Sequence, residues 1–252
     1  MRLRRLGAAI VLAAVPVLAQ QAPKPKSQKE VDALQKVQAA AQAGNYDGEI
    51  QAINYVLENF ADTEYKSMLL NMAVDAAQRK GDYAQTVAFG EQAIQADPNN
   101  IITRVALAET IAQHTRENDL DKEQSLKKVD DYANKALELL KTASTAPSGI
   151  APDKWPDFKK ELTGQAYDAL GLAAQVRKKY PEAIDNFKNA IANNPSAVTQ
   201  AHLAKAYVDN KQYDEAITTA DKVLAMNDAP PVVKQFAQQQ KDAATKLKGA
   251  TK

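Results

Sequence analysis

Through most of this chain apolar residues return at every third or fourth position, and the runs are broken at near-regular intervals by Gly, Asn, Asp or Pro. That spacing lays one apolar stripe along a helix of 3.6 residues per turn, so it predicts amphipathic helices joined by turns. Ser27-Gln28-Lys29-Glu30 has the form of a capping box ahead of the run VDALQKVQAAAQA, and Gly44 supplies the stop. The next run, DGEIQAINYVLENF, sets Ile50, Ile53, Val56, Leu57 and Phe60 on one face.

The same two-helix unit then recurs. Residues 67–100 turn at Lys80-Gly81-Asp82-Tyr83 and end in Asp97-Pro98-Asn99-Asn100, where proline cannot continue a helix. Residues 101–141 read as a stretched copy, with the polar segment RENDLDKEQS where a tight turn would sit. Residues 142–156 carry Pro147, Gly149, Pro152 and Pro156 and predict an irregular connector, after which a long helix runs from Asp157. Two further copies follow in register, at 164–197 and 197–230. Tyr180 and Tyr213 stand 33 residues apart, as do Ala183 and Ala216. A fixed period of that length marks a chain that stacks identical helix pairs, because one pair cannot bury its own apolar face. The closing run 231–248 has a Lys- and Gln-rich outer face, the composition of a polar end cap.

These residues resemble the tetratricopeptide repeat family. Residues 164–197 match its hairpin with Tyr167, Leu170-Gly171, Ala174, Tyr180, Ala183, Phe187, Ala190 and Pro195. The next copy matches with Leu203-Ala204, Tyr207, Tyr213, Ala216 and Leu224. Residues 67–100 match with Gly81, Tyr83, Ala93 and Pro98 but depart at Thr86 and Gly90, while 30–63 and 101–141 match weakly. The resemblance implies an all-α, right-handed superhelical solenoid of antiparallel hairpins: about five of them over 28–248, with 231–248 as capping helix. It also implies a protein-binding role in the concave groove, on the inner face of each first helix. The repeat phase puts Asn71, Asp75, Glu109, Asp168, Gln175, His202 and Lys205 there. A Lys/Asn clamp on a partner's terminal carboxylate, known in some members, is not reproduced by Asn71/Asp75, Asp168/Leu172 or Ala201/Lys205. The groove set leans acidic, which favours a basic or polar peptide.

The first residues break the repeat pattern. Arg2, Arg4 and Arg5 precede thirteen apolar residues, Leu6 to Leu18, and Val17-Leu18-Ala19 offers small residues for cleavage after Ala19. This is the three-part layout of an export signal over 1–19. Thirteen residues span about 20 Å as a helix, against roughly 30 Å for a hydrocarbon core, so no stable membrane span is expected after cleavage. Residues 20–27, with two prolines and no apolar pattern, read as a flexible tether.

Composition narrows the chemistry. There is no cysteine in 252 residues, which removes disulfides, thiolate metal sites and a lipid-modified cysteine. Net charge is +1, and −2 without the three N-terminal arginines, so no positive field for nucleic acid is present. Neither a metalloprotease His pair, a nucleophile elbow nor a phosphate loop occurs, so no catalytic residue, cofactor or metal is assigned. His114 reads as a solvated helix cap, and His202 as an exposed or packed histidine that also reaches the groove. Trp155, the single tryptophan, sits in the connector. It reads either as a plug over the next helix or as a surface aromatic for a ligand. The expected function is an exported, non-catalytic scaffold of the cell envelope for a protein or peptide partner. The rivals are a membrane-tethered, chaperone-like assembly factor, and an enzyme or carbohydrate-binding subunit built on a helical solenoid.

Overall fold

A computed structural model describes residues 23–147 and 150–250, so the export signal expected at 1–19 lies outside the described residues. Eleven helices, and no strand, make up the described chain. They are α1 (Gln28–Gln42), α2 (Tyr46–Asn59), α3 (Lys66–Lys80), α4 (Tyr83–Ala96), α5 (Ile101–His114) and α6 (Lys122–Thr142). Then come α7 (Trp155–Val176), α8 (Tyr180–Asn193), α9 (Ala197–Asp209), α10 (Tyr213–Ala225) and α11 (Pro231–Ala250). Each odd helix packs antiparallel on the even helix after it, and each pair packs on the next, giving the all-α right-handed solenoid of tetratricopeptide type. α11 covers α9 and α10.

The turns repeat at the level of single hydrogen bonds. Asn45, Asp82, Lys179 and Gln212 each donate a backbone N–H to the carbonyl five residues back, on Ala40, Ala77, Ala174 and Tyr207. This is the Schellman ending of a helix, which requires a left-handed residue just before the donor. Gly44 (φ 63°) and Gly81 (φ 70°) fill that place early in the chain, and Lys178 (φ 61°) and Lys211 (φ 62°) fill it later. A tyrosine then opens each second helix: Tyr46, Tyr83, Tyr180 and Tyr213. The third pair departs, because residues 115–121 intervene and α6 starts at Lys122.

The core runs as a strip between the paired helices. Ile53, Leu69 and Leu70 fill it early, Leu107, Leu126 and Leu140 at the centre, and Phe187 later. At Gly171 a Cβ would lie 2.5 Å from the buried Phe187 ring, so the backbone of α7 touches α8 through that ring. Gly90 and Leu107 repeat the contact between α4 and α5.

Three expectations from the sequence change. The Ser27 hydroxyl accepts the Glu30 N–H (3.1 Å) as a capping box requires, but the Glu30 carboxylate does not return to Ser27. It accepts instead from Lys26 N–H (2.6 Å) and the buried Thr63 hydroxyl (2.6 Å). Together with Tyr65 donating to the Pro23 carbonyl (2.8 Å), this fastens residues 23–27 along the α2–α3 corner. The long helix α7 begins at Trp155, two residues earlier than expected. Trp155 itself is 5% exposed, so it is not a surface aromatic. Its indole sits in the α5–α7 core beside Phe158, with ring centroids 6.3 Å apart, because the connector folds the start of α7 back onto α6.

Gly171→Ala is expected to destabilise the protein by about 1–3 kcal/mol, since Phe187 is fully buried and cannot swing away. Gly249→Ala, where a Cβ meets nothing, is expected to be neutral or stabilising by up to about 1 kcal/mol. Urea unfolding of the two variants checks both signs.

Candidate functional site

Helices α3, α5, α7 and α9 lie side by side and carry the inner-face residues. The first two of these residues differ in role. Asn71, half-buried on α3, accepts from the Asn100 side-chain amide (2.7 Å) and the Thr103 hydroxyl (2.8 Å). Since Asn100 also caps α5 through Thr103 N–H (3.1 Å), Asn71 is occupied in joining two hairpins. Asp75 is exposed and pairs with Arg79 at 2.7 Å one turn on, a contact of the kind that adds little stability.

The other five converge further along. Asp168 on α7 is 5% exposed, and His202 Nδ1 on α9 stands 3.1 Å from its Oδ1. The contact ties α9 to α7 across one hairpin period. Glu109 on α5 faces the same group, with Gln113 Nε2 donating to it at 3.3 Å. Burial pushes the Glu109 carboxyl up to about 7, and the negative charges of Asp168 and Glu161 push the same way while His202 opposes them. Gln175 on α7 donates to Asp209 on α9 (2.9 Å), and Lys205 donates to the same carboxylate oxygen (2.7 Å).

Next to this network the surface opens into a cavity of about 690 Å³. Gln175, His202 and Lys205 line it, together with Leu172, Arg116 and Phe236. A smaller cavity of about 250 Å³ continues from the shared His202 and Phe236 toward Val198 and Val232. Three of the predicted groove residues thus share one hollow, and Glu109 and Asp168 act on it through His202. Asn71 and Asp75 lie on another part of the inner face.

Sequence reasoning missed several parts. Asp209 is the acceptor that organises Gln175 and Lys205, and the i, i+4 spacing of Lys205 and Asp209 was the available signal. Phe236 comes from α11, which the sequence marks only as a polar cap. A second cavity of about 430 Å³ lies between α1 and α3, walled by Leu34, Met68 and Met72 with Gln35 and Gln38 at its rim. His114 ends α5 exposed to solvent, as expected, and in addition stacks on Tyr83 with centroids 3.7 Å apart and planes 11° apart.

In fold the chain is similar to solved tetratricopeptide repeat proteins. A crystal structure of a thermophilic TPR protein of Thermus thermophilus superposes with a TM-score of 0.55 at 13% identity, over 84% of this chain and 98% of that one. Structures of MamA from AMB-1 and from MSR-1 give TM-scores of 0.53 and 0.50, both at 18% identity. They cover 81% and 90% of this chain, and 94% and 100% of theirs. No protein-family model matches the chain, and no curated protein matches it in sequence.

His202→Ala takes away a hydrogen-bond partner of a buried carboxylate, and Asp168→Ala removes the carboxylate itself. Each is expected to cost about 1–3 kcal/mol, and the double variant about 1 kcal/mol less than their sum. Denaturation of the four proteins completes the cycle, and strict additivity would show that the pair is not coupled.

Proposed function

We propose that this protein is an exported, non-catalytic scaffold that holds a protein or peptide partner of the cell envelope against its inner face. The observation that carries the reading is the hollow where side chains from five helices, α5, α7, α8, α9 and α11, meet. Rigid helices fix their positions, so a partner segment meets a preformed surface and loses only its own freedom. Leu172, Val176 and Phe236 offer apolar contact, while Lys205, Gln175 and Arg116 offer polar groups at the rim. Of the groove residues named from the sequence, Gln175, His202 and Lys205 are therefore the partner contacts. Asn71 and Asp168 act behind the surface, as supports. Export rests on the sequence pattern of residues 1–19, and among the described residues no helix is long and apolar enough to cross a membrane.

The test is capture of partners from envelope extract on the immobilised full chain. Phe236→Ala and Lys205→Ala are each expected to lower recovery of a bound partner about tenfold, the effect of losing about 1.4 kcal/mol at a central contact. Asp75→Ala, away from the hollow, is expected to leave recovery unchanged. Equal recovery by all four proteins would remove the hollow as the binding site.

The tethered alternative keeps the same groove but retains the N-terminus as an anchor. N-terminal sequencing of the protein from the envelope fraction separates the two. A chain beginning at Gln20 is the expected result, and a chain still carrying residues 1–19 favours the anchor.

A further inference from the structure

Besides His202, four charged side chains line the large hollow: Arg116, Glu117, Lys205 and Asp209. Three of them are already paired. Lys205 donates to the Asp209 carboxylate (2.7 Å), and Gln175 holds the same oxygen (2.9 Å). Glu117 accepts from Lys178 (2.5 Å). That hydrogen bond, followed by the positive charges of Lys178, Lys122 and Lys205, holds the Glu117 carboxyl below its ordinary value.

Arg116 is the exception. It belongs to the segment 115–121 that interrupts the repeat, and its side chain donates through Nη1 to the Gln113 and Thr115 carbonyls. Asp119 accepts from its backbone N–H (2.6 Å), but among the described residues no carboxylate pairs with its guanidinium. The Tyr180 hydroxyl, also on this hollow, has no hydrogen bond among the described residues either. Once the internal pairs are set aside, the polar groups left to a ligand are therefore hydrogen-bond donors with one net positive charge. The acids of the inner face lie elsewhere: Asp75 is away from the hollow, and neither Glu109 nor Asp168 lines it.

An apolar site adjoins this one. Past His202 and Phe236, which both cavities share, the smaller cavity is walled by Val198, Val232 and Val233. Val232 is 70% exposed and Val198 41%, so two branched side chains stand uncovered on one cavity rather than scattered singly over the surface.

We propose that the hollow selects an acidic segment: a peptide whose Asp or Glu pairs with Arg116 while a nearby aliphatic side chain fills the cavity at Val198, Val232 and Phe236. The inference rests on the binding reading of this hollow and gives its occupant a chemistry, opposite in charge to the one expected from the sequence. A carboxylate at Arg116 meets a planar fork of donors. A Lys or Arg in its place meets like charge, with Glu117 and Asp209 already neutralised, and is rejected.

Selection of random phage-displayed peptides on the immobilised full chain tests this. Recovered peptides are expected to be enriched in Asp or Glu within a few residues of Leu, Ile, Val or Phe. A synthetic peptide of the recovered sequence then serves as probe. Arg116→Gln is expected to weaken its binding about fivefold and to flatten the dependence on salt. Val232→Ser is expected to weaken it by about the same factor with the salt dependence kept. Asp209→Asn frees Lys205 while its amide oxygen can still take the Gln175 hydrogen bond, and is expected to tighten binding about threefold. Phe236→Ala should abolish binding of every recovered peptide. If it does so but the peptides are rich in Lys or Arg, or their binding ignores Arg116→Gln or falls in Asp209→Asn, the acidic preference is overturned and the hollow stands. Peptides that bind Phe236→Ala as well as the wild type, or no recovery at all, overturn the hollow and the preference together.

Discussion

A single helical hairpin of this chain has an apolar face on each side and covers only one of them by itself. Everything else follows from the need to cover the other face with the next hairpin. Close approach is what makes the covering effective. Gly171 admits the Phe187 ring to the backbone of α7, and Gly90 admits Leu107 between successive hairpins. Alanines such as Ala73, Ala108, Ala169 and Ala204, each with 0% of its surface exposed, do the same along the first helices. The core is therefore built less from large side chains than from small ones that let helix backbones lie near each other, as dispersion at short range rewards. The last hairpin has no successor among the described residues, and α11 stands in for one.

The polar contacts obey the same repeat. Hydrogen bonds between hairpins span sequence separations of one period: Glu30 to Thr63, Asn71 to Thr103, Gln78 to Thr110, Asp168 to His202 and Gln175 to Asp209. Their separations are 33, 32, 32, 34 and 34 residues. A residue on an inner face thus meets its own counterpart one hairpin on. Inner-face polarity is in good part spent on holding the array together rather than left free for a partner.

That rule explains which features were legible in the sequence. Helix number, hairpin order and the tyrosines that open α2, α4, α8 and α10 depend on local spacing, and these the apolar period shows directly. The left-handed turns at Lys178 and Lys211 could be read only from their alignment with Gly44 and Gly81, because lysine carries no sign of positive φ. The groove phase was also legible, since Gln175, His202 and Lys205 do meet in one hollow. What could not be read is engagement. Whether Asn71 or Asp168 points to solvent or to the next hairpin depends on side-chain geometry across two helices, and periodicity contains no information on that. Trp155 is the sharper case. Its surroundings suggest an exposed linker, yet its burial is decided by α5 and α6, whose apolar residues lie well upstream.

The one place where the period fails is also where charge accumulates. Residues 115–121 and 143–154 lengthen the third unit, so α7 meets α5 across more than one period of sequence. Arg177 at the end of α7 compensates on the outer side by pairing with Glu123 (3.1 Å) and Asp130 (2.9 Å) of the long α6. Lys178 pairs with Glu117 of the insertion at 2.5 Å. On the inner side burial, with the negative charges of Asp168 and Glu161, pushes the Glu109 carboxyl up to about 7. That side borders the hollow in which Gln175, His202 and Lys205 meet.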